Sequence, residues 1–456
     1  MHARPERSVM VLGPPRSGKT TSIVIPAVLS ADGPVVSTST KPEVMRSTVH
    51  QRLRLGPCYL YDPSGKIDLP EGVERLVWSP VAASADWRQA QIVSRMMVRT
   101  ARVPGGGVDS GSAHRDPHWT ERAESLLASL LHAAALTDRP MRDVVSWVDA
   151  RKASEALDVL ERGGDPSAFA RDLLSGIVAT DLRELSGIWS SASGVLGAYR
   201  NEPAIASTKG PAFDSAGFCR SRGTVYVCAS GLDQDLAAPL IVGLLTDIQN
   251  ARFAIHSDMA GEHGGVPPVL FALDEVANIA PLPNMTSLAS EGGGQGIVTL
   301  ACLQDLSQAR QRWGDQAEGF MSLFGVTVEL PGIKNPRTLQ AVELLSGTAE
   351  RRRESVTGPA DRPGVVNLAA GLLSGGGRQL PQPTRTVSTE MRPVLPAAEV
   401  ARGRPGAALL IDERSSMSWV TLTPWFDWEP FRSAVRVQSR SMERDRLSSG
   451  SGGREL

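Results

Sequence analysis

The stretch Ser8-Val9-Met10-Val11-Leu12-Gly13-Pro14-Pro15-Arg16-Ser17-Gly18-Lys19-Thr20-Thr21 decides how the rest of the chain is read. Val9 to Leu12 is a β-type apolar run, and it enters a loop spelled G-x-x-x-x-G-K-T. The apolar run Ile23 to Leu29 behind the loop is helical in character. Strand, loop and helix in that order turn a string match into a physical expectation. Successive backbone N–H groups of Gly13 to Thr21 can curl around an anion, and the following helix offers it unpaired N–H groups and a positive dipole end. The expected nucleotide-binding segment is therefore Gly13, Pro14, Pro15, Arg16, Ser17, Gly18, Lys19, Thr20 and Thr21. Lys19 is expected to reach the β- and γ-phosphates, and the Thr20 hydroxyl to ligate Mg²⁺.

Working outward, residues 8–63 read as β-α-β-α-β, with strands ending near Val36 and at Cys58 to Tyr61 and a helix over Lys41 to Leu55. Strands that alternate with helices imply a parallel sheet covered on both faces. The next clear strand, Thr224 to Ala229, comes about 160 residues later, whereas a crossover needs only about a dozen. The intervening sequence is helical. Asp116-Pro117 supplies a cap and a proline for a helix start. Trp119, Ala123, Leu126, Leu127, Leu130, Leu131 and Ala134 then follow at helical spacing. Leu182, Leu185, Trp189, Ala192, Leu196 and Tyr199 keep a 3-4-3-4-3 seam. A helical insert is thus expected at 88–205.

Beyond it come a helix (Pro239 to Ile255), a buried strand (Val269 to Leu273), a strand ending at Gln304, a helix from Asp305 to Arg312, and strands at Phe324 to Leu330, Ala407 to Ile411 and Ser418 to Leu422. Residues 354–388, rich in Gly, Pro and Arg, read as a mobile loop, and the Ser-Gly tail as disordered.

Hydrolysis needs a second metal anchor and a group that activates water. Asp274-Glu275, at the end of the apolar strand from Val269, fits both roles. Asp274 is expected to hold Mg²⁺ through its water shell, and Glu275 to polarise the attacking water. Gln304 ends the next strand, and parallel strands present their C-termini on one ligand-binding rim. It is expected to sense the γ-phosphate or position water.

At 456 residues and 41% hydrophobic content, the chain has room for two or three domains. Forty-eight basic and 49 acidic residues nearly cancel, so charge neither suggests nor excludes nucleic acid. Cys58, Cys219, Cys228 and Cys302 are far apart without a C-x-x-C, which reads as buried reduced thiols. No apolar run approaches the ~18–20 residues of a membrane span, and no signal-peptide pattern opens the sequence. Either the protein is natively soluble or a region before residue 1 is absent from this chain. His114-Arg115-Asp116 mimics a kinase triplet without the kinase glycine loop. His114 and His118, i and i+4 with Pro117 between them at a loop start, are not read as a metal site. Glu291 to Gly296 precedes a strand rather than following one, and reads as a tight turn. Arg432, Arg436, Arg440 and Arg444 recur every four residues, a stripe that would follow a phosphate backbone if helical, although a solvated basic tail is the simpler reading.

These residues resemble the coupling-protein ATPases of type IV secretion, the TraG/TraD-like conjugative DNA-transfer family, and within it most resemble actinobacterial members. The resemblance rests on Gly13 to Thr20 with Pro26 inside the first helix, and on Tyr61-Asp62-Pro63-Ser64-Gly65 and the Trp119 helix. It is most specific in Leu273 to Ile279 with Pro281-Leu282-Pro283, in Glu291 to Gly296, and in Leu303 to Gln308 with Arg312-Trp313-Gly314. Met391 to Leu395 also looks like the family. It implies an α/β fold: a RecA-like P-loop NTPase domain with a mainly parallel sheet, carrying an inserted all-α domain. The expected boundaries are 1–87 and 206–430 for the nucleotide-binding domain, 88–205 for the insert, and 431–456 for a basic tail.

The resemblance further implies a hexamer at the cytoplasmic face of the plasma membrane. Such a hexamer couples ATP hydrolysis, with Mg²⁺, to export of single-stranded DNA and its relaxase through a type IV secretion channel. The substrate- and DNA-facing part would be the insert. Two features depart from the family. The chain lacks the usual N-terminal transmembrane helices, so membrane attachment would come from a missing region or a partner. The turn before Gln304 is Gly294-Gln295-Gly296, without the basic residue frequent in relatives, leaving Arg310, Arg312 and Arg337 as weak candidates for a trans-acting arginine. Ser37 to Glu43 also departs from the family's acidic pattern, so Lys41 receives no role. The alternatives are an FtsK/HerA-type double-strand translocase and a non-hydrolysing, nucleotide-dependent adaptor for secreted proteins.

Overall fold

The computed structural model describes residues 6–101, 117–164, 167–229, 234–258, 266–357 and 384–433. Val9–Leu12 (β1) is buried in the middle of a ten-stranded sheet. The other strands are Val35–Ser39 (β2), Cys58–Tyr61 (β3), Val73–Arg75 (β4), Thr224–Cys228 (β5), Val269–Leu273 (β6), Ile297–Leu303 (β7) and Val326–Glu329 (β8), then Ala407–Ile411 and Met417–Thr421. Between β8 and those last two, Thr348–Thr357 (β9) and Thr384–Pro393 (β10) form a separate antiparallel ribbon, which makes the last two β11 and β12. The sheet order is β12-β11-β8-β1-β7-β6-β2-β5-β3-β4. β1 to β8 all pair in parallel, and only β11 and β12 run against their neighbours. β2 and β5 are buried at every residue. This is why they read as unbroken apolar or small-residue runs rather than alternating ones.

The chain leaves β1 through the Gly13 loop into a π-helical turn (Thr20–Val24) that continues as Ile25–Ser30 (α1). Pro26 sits where the π-helical turn passes into α1; it has no N–H to offer the preceding turn, and the wider turn accommodates it. Glu43–Leu53 (α2) returns the chain to β3. Between β4 and β5 lie Trp87–Ala101 (α3), Pro117–Leu136 (α4), Met141–Ala150 (α5), Ser154–Arg162 (α6), Ala168–Val178 (α7), Leu182–Val195 (α8), Glu202–Ala206 (α9) and Ser215–Arg220 (α10). The later helices are Gln234–Asp258 (α11), Val276–Ile279 (α12), Met285–Glu291 (α13), Leu306–Trp313 (α14), Phe320–Leu323 (α15), Pro336–Leu345 (α16) and Ala397–Arg402 (α17).

In α4, Ala123, Leu126, Leu127, Leu130, Leu131 and Ala134 are all at most 1% exposed. Each such leucine contributes about 1.5–3 kcal/mol of apolar burial. The α8 seam holds at Trp189 and Ala192 and passes into the next turn at Leu196 and Tyr199. Leu182 departs from it. Asp181 caps α8 by accepting from Arg183 N and Glu184 N, so Leu182 falls in the exposed first turn. Polar contacts join the helices to one another and to the segment after β4: Ser94 Oγ of α3 donates to Glu124 O of α4 (2.7 Å), Asn250 Nδ2 of α11 to Gln89 Oε1 of α3 (3.0 Å) and Trp78 Nε1 to Asp247 Oδ2 of α11 (3.2 Å).

One reading needs correction. Both ends of the segment 354–388, expected to be a loop, are strand: β9 runs to Thr357 and β10 starts at Thr384. The described side chains of the ribbon are exposed at 348–352 and 387–392, so they carry no apolar alternation to be read. β4, with only three residues and two exposed charged side chains, gives no strand signal either. The four cysteines are free and buried. Among the described residues, no helix is long and apolar enough to cross a membrane.

Candidate nucleotide site

The sheet's topology brings four strand ends to one rim. β7 lies between β1 and β6, and β2 lies beyond β6. Gly13 N donates to Leu303 O (3.1 Å), which ties the start of the phosphate loop to the end of β7. On the other side, Leu330 N donates to Leu12 O (2.8 Å). A Cβ on Gly13 would come within 2.7 Å of Ser17 Oγ and 3.0 Å of Leu330 Cβ, so the close turn requires glycine. Gly18 has φ +94°, again a conformation suited to glycine, whereas Arg16 adopts φ 64° without that freedom. Left-handed backbone at a non-glycine residue costs roughly 1–2 kcal/mol and clusters at functional loops.

Lys19 is only 7% exposed, and its Nζ donates to Gly13 O (2.6 Å) and Pro14 O (3.0 Å). The ammonium thus lies along the inside of its own loop. Ser17 Oγ is buried and, among the described residues, has no hydrogen-bond partner. A buried orphan hydroxyl in a ring of backbone donors is a site prepared for an acceptor such as a phosphate oxygen.

Thr20 and Asp274 meet directly. Thr20 Oγ1 donates to Asp274 Oδ2 at 2.8 Å although 254 positions separate them. Thr38 on β2 fixes the aspartate's backbone from the other side: Thr38 Oγ1 donates to Asp274 O (3.1 Å), and Asp274 N donates to Thr38 O (3.3 Å). Burial pushes the Asp274 carboxyl above its ordinary value. The Thr20 hydrogen bond opposes this, the neighbouring Glu275 charge adds to it, and Lys19 opposes it. A cation placed beside these oxygens would remove the burial penalty. The Thr20 hydroxyl and the Asp274 carboxylate are hard oxygen donors. They suit Mg²⁺, which takes one or two protein groups and completes its shell with phosphate and water.

Glu275 stands at φ 56°, left-handed, as the residue that starts α12. Asn278 Nδ2 donates to Glu275 Oε2 (3.1 Å), which restrains the carboxylate. A cavity of about 400 Å³ opens here, lined by Arg16, Lys19, Thr20, Asp274 and Glu275 among others, and by Ser39, Thr40, Lys41 and Glu43 from the end of β2 and the start of α2.

Gln304 follows the last residue of β7, beside Gly13, and lies outside the lining of that cavity. Its backbone N–H donates to Gln308 Oε1 (2.9 Å). Lys41, given no role from the sequence, lines the cavity. Asn278 and Thr38 were not singled out either. The only sequence signal for them is position: i+3 from Glu275, and the end of a strand on the same rim.

Of the arginines considered as trans-acting groups, Arg310 pairs with Glu318 (3.2 Å) and Asp315 (3.9 Å), and Arg312 Nη2 donates to Thr100 O (2.6 Å). Arg337 is exposed on α16. His118, read as having no acid near it in sequence, has one in space: its Nε2 lies 2.8 Å from Glu184 Oε1. His114, Arg436, Arg440 and Arg444 lie outside the described residues. The turn at Glu291 to Gly296 is tight as expected, with a 3₁₀ turn ending in a left-handed Gly296.

A phosphate loop at the end of a central parallel strand, with an acidic pair two strands away on the same rim, defines a RecA-like P-loop fold. The chain belongs to the type IV secretory system conjugative DNA transfer family, whose pattern matches residues 4–335. A second match, described as the TraM recognition site of TraD and TraG, covers residues 268–404. No match is found among curated proteins. Among solved structures, the chain is similar to the bacterial conjugative coupling protein TrwB lacking its first 70 residues, in an unbound form, with TM-score 0.63 and 16% identity over 92% of this chain and 85% of that one. It is also similar to TrwB in complex with ADP and Mg²⁺, with TM-score 0.61 and 15% identity over 92% and 85%.

Proposed function

We propose that this chain is an ATP-hydrolysing coupling protein that delivers relaxase-bound single-stranded DNA to a type IV secretion channel. The observation that carries the reading is the Thr20–Asp274 hydrogen bond at 2.8 Å, with Lys19 in the loop and Glu275 next in sequence. In this reading Gly13 to Thr21 wraps the phosphates, and Lys19 turns from its loop carbonyls to the β- and γ-phosphate oxygens. Thr20 and Asp274 would hold Mg²⁺, Asp274 through the metal's water shell. The metal, when bound, neutralises charge on the phosphates. Glu275, oriented by Asn278, accepts a hydrogen bond from the attacking water, and Gln304, just outside the cavity lining, senses the γ-phosphate or positions water.

Support for the nucleotide comes from the fold-level likeness to TrwB, which has been captured with ADP and Mg²⁺. Support for a conjugation partner comes from the TraM-recognition match. Residues 1–87 and 206–430 would form the motor, 88–205 the substrate-facing region, and a hexamer at the cytoplasmic face of the plasma membrane the working unit.

Steady-state ATP hydrolysis, measured with and without single-stranded DNA, tests this. Turnover should rise with DNA and disappear in Lys19→Ala. Glu275→Gln should bind ATP while its turnover falls about a hundredfold or more. Wild-type turnover in the Glu275→Gln protein would remove Glu275 from the water-activating role. ATP-dependent assembly without turnover under any DNA condition would favour an adaptor.

A further inference from the structure

Among the described residues, the cavity at the phosphate loop is lined by small, polar and charged groups, with Pro15 its one apolar contributor and no aromatic side chain. It fits a triphosphate. A nucleotide also carries a flat, largely apolar base, which gains most from an aromatic face. An aromatic pair follows closely in sequence on a residue that touches the loop. Leu422, just after β12, brings its Cδ2 to within 3.6 Å of where a Cβ on Gly18 would lie. The chain then turns through Trp425–Asp427. Leu422 and Trp425 both pack on the buried cluster that contains Val11, Val24, Ile25, Val28 and Leu330, which is the underside of the loop and first helix.

Phe426 meets Trp425 edge-to-face with ring centroids 5.6 Å apart, and Phe426 itself stays 46% exposed. Edge-to-face pairing leaves a ring face open for a further stacking partner. Asp427 and Glu429, both exposed, flank the aromatics. Two carboxylates disfavour a phosphate backbone and tolerate an uncharged base, which separates this surface from a DNA track.

We infer that the Leu422–Phe426 segment is the nucleobase wall of this site, with Phe426 stacking on the base while the loop holds the phosphates. This rests on the nucleotide reading above and adds the subsite that the phosphate cavity lacks. The test is a paired affinity measurement on the full chain with Mg²⁺, using ATP and inorganic tripolyphosphate as the two probes. Phe426→Ala should weaken ATP about tenfold or more and leave tripolyphosphate unchanged. Phe426→Tyr, which keeps a ring, should restore ATP. In the wild type, ATP should quench tryptophan fluorescence and tripolyphosphate should not.

Equal weakening of both probes would make the segment a support for the loop and overturn the inference. Unchanged affinity for both, with reduced self-association of Phe426→Ala, would reassign the aromatics to contact between copies. A wild type that binds both probes equally would refute the base wall alone. A wild type that binds neither would refute the nucleotide site itself.

Discussion

Glu329 is 2% exposed, and among the described residues neither of its carboxylate oxygens has a hydrogen-bond partner. It ends β8, in register with Leu12 on one side and Leu409 on the other. Burial pushes its carboxyl up to about 8. The folded value is thus raised above the unfolded one. Between the two, the folded protein holds a proton that the unfolded chain has released. Its contribution is complete below the ordinary glutamate range and is lost as pH rises toward 8. Glu329→Gln should therefore match the wild type in thermal unfolding near pH 5 and exceed it near pH 8. Parallel curves for the two proteins would show that the carboxyl is solvated.

The same scale shows what the sequence could and could not disclose. That Lys19, Thr20 and Asp274 come together at one cavity was legible, because the loop spelling and the acid pair at a strand end restrict both residue type and spacing. The Asn278 contact to Glu275 was not, since it depends on Glu275 adopting φ 56°. Glu329 was hidden for a different reason: a glutamate at the end of an apolar strand reads as a solvated boundary.

At the scale of elements, α4 followed its pattern residue for residue, because a helix packed on several neighbours must keep its apolar spacing. Leu130→Ala should lower stability by about 2–5 kcal/mol, read by urea titration. The β9–β10 ribbon had no such signal. α2 carries a less visible constraint. Arg52 is fully buried on it, donating from Nε to Thr224 Oγ1 (2.7 Å) and from its two Nη groups to Ala31 O, Gly33 O (2.7 Å) and Arg222 O (3.0 Å). These acceptors belong to the segments entering β2 and β5. Arg52→Met leaves several buried oxygens without donors, so a loss of about 3 kcal/mol or more is expected. A fall of less than about 1 kcal/mol would show that water replaces the guanidinium.

For the whole molecule, near-neutral charge leaves DNA contact to local patches. If single-stranded DNA is gripped through phosphates, its affinity should fall with salt at a log–log slope of about −0.7 per contacted phosphate. A flat response would exclude that mode. The RecA-like architecture was legible from the alternation of strands and helices and from the oversized gap before β5. The order of the strands was not legible, because local pattern says nothing about which strands become neighbours.

That order bears on how the chain reaches its folded state. β1 pairs with β7 and β8, so Val9 finds its partners only at Leu300 and Val326. During synthesis its apolar residues emerge long before anything exists for them to pair with. Closing a loop of about 290 residues carries an entropic cost before any contact rewards it. The strand that launches the phosphate loop is thus the last part of the sheet centre to be enclosed. Until Val326 has been made, an uncovered β1 is an aggregation risk. Refolding from denaturant should be slow, and it should lose yield as protein concentration rises.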